Sequence, residues 1–138
     1  MSSTTWMPPR NNRQKPIGEV GEDLAVSHLE ANGYTILDRN YRFSREEIDI
    51  IAFQSYDRCQ DGGELVFIEV KARRNHNYGR PEEAVTRAKQ EAIFRTAEAY
   101  LQERKLVGSP CRFDVIAITI EGSKPRIEHI ENAFGYFG

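Results

Sequence analysis

The chain predicts an α/β or α+β domain, a central mixed β-sheet flanked by helices. Three observations carry this: a helical segment comes first, extended apolar runs follow, and a long helical segment separates these from further extended runs. The run 65–72 is apolar on both faces for most of its length, as a central strand covered on both sides should be. At 138 residues, the chain can build one domain with a real core but hardly two. Residues 17–138 are assigned to that domain and 1–16 to a flexible basic tail.

The tail is polar and proline-bearing, with Arg10, Arg13 and Lys15. It lacks the apolar core of a signal peptide, and no run reaches membrane-spanning length, so a soluble cytoplasmic protein with no membrane partner is expected. From Ile17 to Asn32, Ile17, Val20, Leu24 and Ala31 share one side of a helix that Asn32-Gly33 stops. Tyr34–Leu37 and Tyr41–Phe43 read as extended and lead into a strand at Ile48–Phe53. A polar stretch from Gln54 to Gly63 turns the chain into the strand Leu65–Ala72. A basic loop follows, and Pro81 opens a helix to about Lys105, with Gln90, Phe94, Ala97 and Leu101 along one stripe. Arg112–Ile120 reads as a strand, and Arg126–Ile130 as a short last one.

Charge is out of place in two of these runs. Period-two alternation sets Ile48, Ile50 and Ala52 on one face and Glu47, Asp49, Ile51 and Phe53 on the other. In the next run Leu65, Phe67, Glu69 and Lys71 share a face opposite Val66, Ile68, Val70 and Ala72. Charges at strand ends often only meet water. Here acids fall in two strands, and Lys71 lies on the same face as Glu69. A lysine or a divalent cation lowers the cost of gathering carboxylates, and carboxylates plus water suit Mg2+ or Mn2+. Glu22 borders the apolar arc of the first helix and faces inward or outward equally well. Lys89 and Gln90 sit early in the long helix, where an early turn favours anionic ligands, and Gln90 in its apolar stripe is the better candidate.

The formal net charge is -2, so any polyanion must be held by a local basic patch. Cys59 and Cys111 lack zinc-site spacing and read as free thiols. His28, His76 and His129 form no ligand motif, and Trp6, Tyr78 and the terminal aromatics read as surface or packing residues.

The acid Asp49 followed by Glu69-Val70-Lys71 resembles the PD-(D/E)XK nuclease signature. The runs Gly18–Ala25, Glu47–Ile51, Phe67–Arg73, Ala88–Gln90 and Arg112–Val115 resemble the bacterial YraN-like family, over about Ile17 to Phe134. That resemblance implies a restriction-endonuclease-like domain, related in fold to Holliday junction resolvases, and a Mg2+- or Mn2+-dependent endonuclease acting on DNA, including branched or structured DNA. Asp49 and Glu69 would bind the metal with the Val70 carbonyl, and Glu22 would complete or orient the cluster. Lys71 would position water and offset phosphate charge. Gln90 with Phe94 resembles a glutamine-x-x-x-tyrosine element without the hydroxyl. Ile48 replaces the proline of the signature's name, and Arg45-Glu46 stands where a glycine is common. Arg73, Arg74, Arg80 and Lys89 would contact the nucleic-acid backbone, with a solvated role the alternative for each singly. Cutting a four-way junction twice would call for a homodimer. The other class of reading is a nucleic-acid-binding adaptor with this fold and little turnover.

Overall fold

The computed structural model describes residues 16–56, 62–74 and 80–135. The tail up to residue 15 with Trp6, the stretch 57–61 with Cys59, the loop 75–79 with His76 and Tyr78, and 136–138 with Tyr136 and Phe137 lie outside the described residues. Helix α1 (Ile17–Ala31) precedes β1 (Thr35–Phe43), β2 (Glu46–Ser55) and β3 (Gly63–Arg73). A short 3-10 turn (Pro81–Ala84) and helix α2 (Arg87–Glu103) lead to β4 (Cys111–Glu121) and β5 (Lys124–Phe134). The strands lie side by side in chain order, antiparallel except for the parallel pair β3–β4. A parallel pair needs a crossover connection, which the 3-10 turn and α2 supply. The mixed sheet between two helices is of the α/β class, the first of the two expected, and it is consistent with a nuclease-like domain.

Each face of the sheet has its own core. On one side Ala25 and Leu29 of α1 pack on Ile50, Ala52, Val66, Ile68, Ile116 and Ile118. On the other, Ile93, Ala97, Tyr100 and Leu101 of α2 pack on Ile51, Leu65, Phe67, Phe113 and Val115. The buried face of α1 is Gly21, Glu22, Ala25 and Leu29, rotated from the expected Ile17, Val20, Leu24 and Ala31 stripe. The rotation follows from small residues. Gly21 lies so close to β3 that a Cβ there would stand 2.6 Å from the Ala72 Cβ. Gly21→Ala is therefore expected to push α1 off the sheet and destabilise the fold by about 1–3 kcal/mol, as chemical denaturation would measure.

Three other expectations are corrected. The long helix does not start at Pro81: Thr86 is extended, its hydroxyl accepts the Lys89 N–H at 3.2 Å, and α2 begins after that cap. The strand at Arg126–Ile130 runs from Lys124 to Phe134, because a hairpin through left-handed Gly122 pairs it with β4 as far as Ile130, and pairing resumes at Phe134 after a break in register. The polar connection is shorter than Gln54 to Gly63, since β2 and β3 stay paired out to Ser55 opposite Gly63.

Candidate active site

Asp49 sits where β2 and β3 separate. Their pairing ends at Ile50 opposite Ile68. Beyond it the Val70 N–H, which a continuing ladder would give to a backbone carbonyl, donates to Asp49 Oδ2 at 2.8 Å. The simple alternation expected for β2 also fails here. Ile48 packs with Ile51 on the α2 side, whereas Ile50 and Ala52 pack on the α1 side. Ile48 therefore leaves the face it was expected to share with Ile50.

The Asp49 carboxyl is costly to ionise. Burial and then the charge of Glu69 push it up to about 7 from an ordinary 3.8; the Val70 hydrogen bond opposes this, and Glu22 and Glu47 add to it. Glu69 is buried on the α2 side of β3. Its Oε2 lies 3.6 Å from Lys71 Nζ, two residues along the same face, and 3.7 Å from Lys89 Nζ on the first turn of α2. Strand period and helix cap thus bring together Asp49, Glu69, Lys71 and Lys89.

The other predicted residues are placed differently. Glu22 faces inward, but both of its oxygens are engaged: Oε1 accepts from Arg39 at 2.9 and 3.1 Å, and Oε2 from Asn40 Nδ2 at 2.8 Å. Asn40 is left-handed, with φ 53°, inside β1, a conformation that asparagine tolerates better than most residues. Gln90 turns its amide to the Val85 carbonyl at 3.1 Å, and Phe94 packs edge-on against Phe113. Arg73 is partly buried at the end of β3, and Arg74 and Arg80 are exposed on either side of residues 75–79. Arg39 and Asn40 were missed by the sequence reading. The signal available was a polar Asp38-Arg39-Asn40 interruption between two extended runs.

A second polar cluster, also missed, is built on Arg112 and Asp114 of β4, which pair with Val66 and Ile68 of β3 and share the α1 face with Ile116 and Ile118. Asp114 is fully buried and accepts hydrogen bonds from Arg112, from His129 Nε2 at 2.8 Å and from the Asn132 N–H at 2.9 Å. Arg112 also donates to Gln54, Glu64 and the Tyr34 hydroxyl at 2.6, 3.0 and 2.6 Å. Burial would raise the Asp114 carboxyl, but the His129 and Arg112 hydrogen bonds and the Asn132 N–H hold it below its ordinary value. An arginine and an aspartate one residue apart in an apolar strand were the visible signal.

Fold and site together define a class: an α/β protein of mixed sheet, with two carboxylates and two lysines gathered where its central strands diverge. The model of the uncharacterised protein family UPF0102 matches residues 21–118, and the chain belongs to that family, the YraN-like group its motifs resemble. A UPF0102 protein of Geobacter metallireducens is 46% identical over 120 residues, covering 87% of this chain and 93% of the relative. Those of Symbiobacterium thermophilum and Dehalococcoides mccartyi are 47% and 41% identical, covering 86% and 88% of this chain and 95% of each relative. Among the described residues, no helix is long and apolar enough to cross a membrane.

Proposed function

We propose that this protein is a cytoplasmic, Mg2+- or Mn2+-dependent nuclease that hydrolyses phosphodiester bonds of DNA. The observation that carries the reading is the pairing of Asp49 with Glu69 at the strand fork, a desolvated acid beside a second acid that two lysines already approach. Repulsion between such acids is what a cation relieves.

The donor set fits a water-rich ion. Among the described residues no three histidine, cysteine, aspartate or glutamate side chains gather closely enough to hold a metal. Mg2+ needs no such cage, since one or two carboxylates and several waters suffice. Asp49 and Glu69 would hold it, and when bound it would acidify water and stabilise charge on the phosphate. Glu22, gripped by Arg39 and Asn40, serves the site through its position and charge. Lys71 offsets phosphate charge, and Arg73, Arg74 and Arg80 flank it as backbone contacts.

A screen over single-stranded, duplex, flap and four-way DNA with Mg2+ or Mn2+ tests this. Cleavage is expected to be lost in EDTA and in Asp49→Ala; cleavage that survives the substitution would refute the site. The engagement of both Glu22 oxygens favours a second reading, a nucleic-acid-binding adaptor with little turnover. EDTA-insensitive binding without cleavage on any of these substrates would select it.

A further inference from the structure

We propose that Lys89 is an exchangeable counter-ion, held by Glu69 at rest and transferred to a phosphate of the nucleic-acid backbone when substrate and cation bind. The inference deepens the nuclease reading and rests on it.

Two ammonium groups share one carboxylate oxygen. Lys71 Nζ and Lys89 Nζ stand 3.6 and 3.7 Å from Glu69 Oε2. Both distances exceed those of a direct charge-assisted hydrogen bond, about 2.7–2.9 Å. The carboxylate is nearly closed to solvent at 8% exposure, while the lysines are 33% and 41% exposed. Glu69 therefore lies at the floor with its two cations toward solvent, and one carboxylate cannot neutralise both. A carboxylate this buried must keep a counter-charge, and an arriving cation supplies one, so Lys89 can leave without stranding Glu69. Lys71 is fixed by its strand. Lys89 comes from another element, anchored by the Thr86 cap, and its long side chain reaches Glu69 from α2. Gln90, the neighbour that the sequence favoured, is spent on Val85.

Exchange requires that cation and Lys89 compete for Glu69, whereas Lys89 and nucleic acid cooperate. Removing Lys89 must then move two affinities in opposite directions. A merely structural lysine would weaken both or change neither. The experiment measures Mn2+ affinity by titration calorimetry without DNA, and binding of a fluorescein-labelled duplex by anisotropy across a salt series in Ca2+. Lys89→Ala is expected to tighten Mn2+ about 3–10-fold, to weaken duplex binding about 10-fold, and to reduce the salt slope by about one. Lys89→Arg should keep the slope. A Lys89→Ala protein with unchanged slope, or with weaker Mn2+ binding, overturns the proposal, and its melting temperature shows whether misfolding is the cause; in that case Lys89→Gln, which keeps the side chain's length without its charge, decides by the same two affinities. Wild-type cleavage alongside an unchanged Lys89→Ala slope refutes Lys89 alone. Opposed shifts without wild-type cleavage refute the nuclease alone, and a wild type that binds no duplex refutes both.

Discussion

Asp49→Asn is expected to make the metal-free protein more stable at pH 8 while removing its cleavage activity. The Asp49 carboxyl is raised to about 7 in the fold from 3.8, so the folded state holds a proton that the unfolded chain has released between these values. Stability attributable to this group is therefore complete below about pH 4 and is lost as pH rises to about 7. Asparagine keeps an oxygen for the Val70 N–H and carries no charge, so it avoids that loss. The gain at pH 8 is about 2–4 kcal/mol, shrinking to nothing near pH 4. Urea denaturation in EDTA at the two pH values measures it, and equal stability at pH 8 would show that Asp49 is not burdened by burial and Glu69.

Arg112→Met is expected to have the largest destabilising effect, about 3–5 kcal/mol, because it leaves the fully buried Asp114 without its guanidinium. The Asp114 carboxyl is held below its ordinary value, so its contribution is present above about pH 4 and lost as pH falls through the folded value. Acid unfolding of the variant should begin at higher pH than in the wild type. Arg87→Met, which removes a 72% exposed arginine 3.8 Å from Glu91, should change stability by less than about 0.5 kcal/mol. Comparable losses in the two variants would contradict the Arg112 assignment.

What was legible in the sequence divides along physical lines. Strand alternation placed Glu69 and Lys71 on one face and sorted Val66, Ile68, Phe113, Val115, Ile116 and Ile118 to their correct sides, because side-chain period is a local property. The same rule misplaced Ile48, which lies beyond the last β2–β3 pair and is held by β1 alone, opposite Tyr41. Glu22 was undecidable from its helix alone: its inward course depends on Arg39 and Asn40, far along the chain. The break before α2 was readable in principle from Thr86, a good capping residue, but the proline at 81 offered an equally plausible start. The Arg112 cluster escaped because, beyond the Arg112–Asp114 spacing, its partners come from other segments of the chain that no spacing rule connects.

The separation of that cluster from the strand fork has a consequence for how the family can change. Arg112 and Asp114 bind Tyr34, Gln54, Glu64, His129 and Asn132 from the face of β4 that Ile116 and Ile118 share, on the α1 side. Glu69, one residue further along in register, faces the α2 side with Lys71 and Lys89. Cohesion and chemistry are thus assigned to opposite faces of the same strands, one residue apart in register. A lineage can retune residues around the fork, altering what is bound there, while the opposite face keeps the chain folded through the trial.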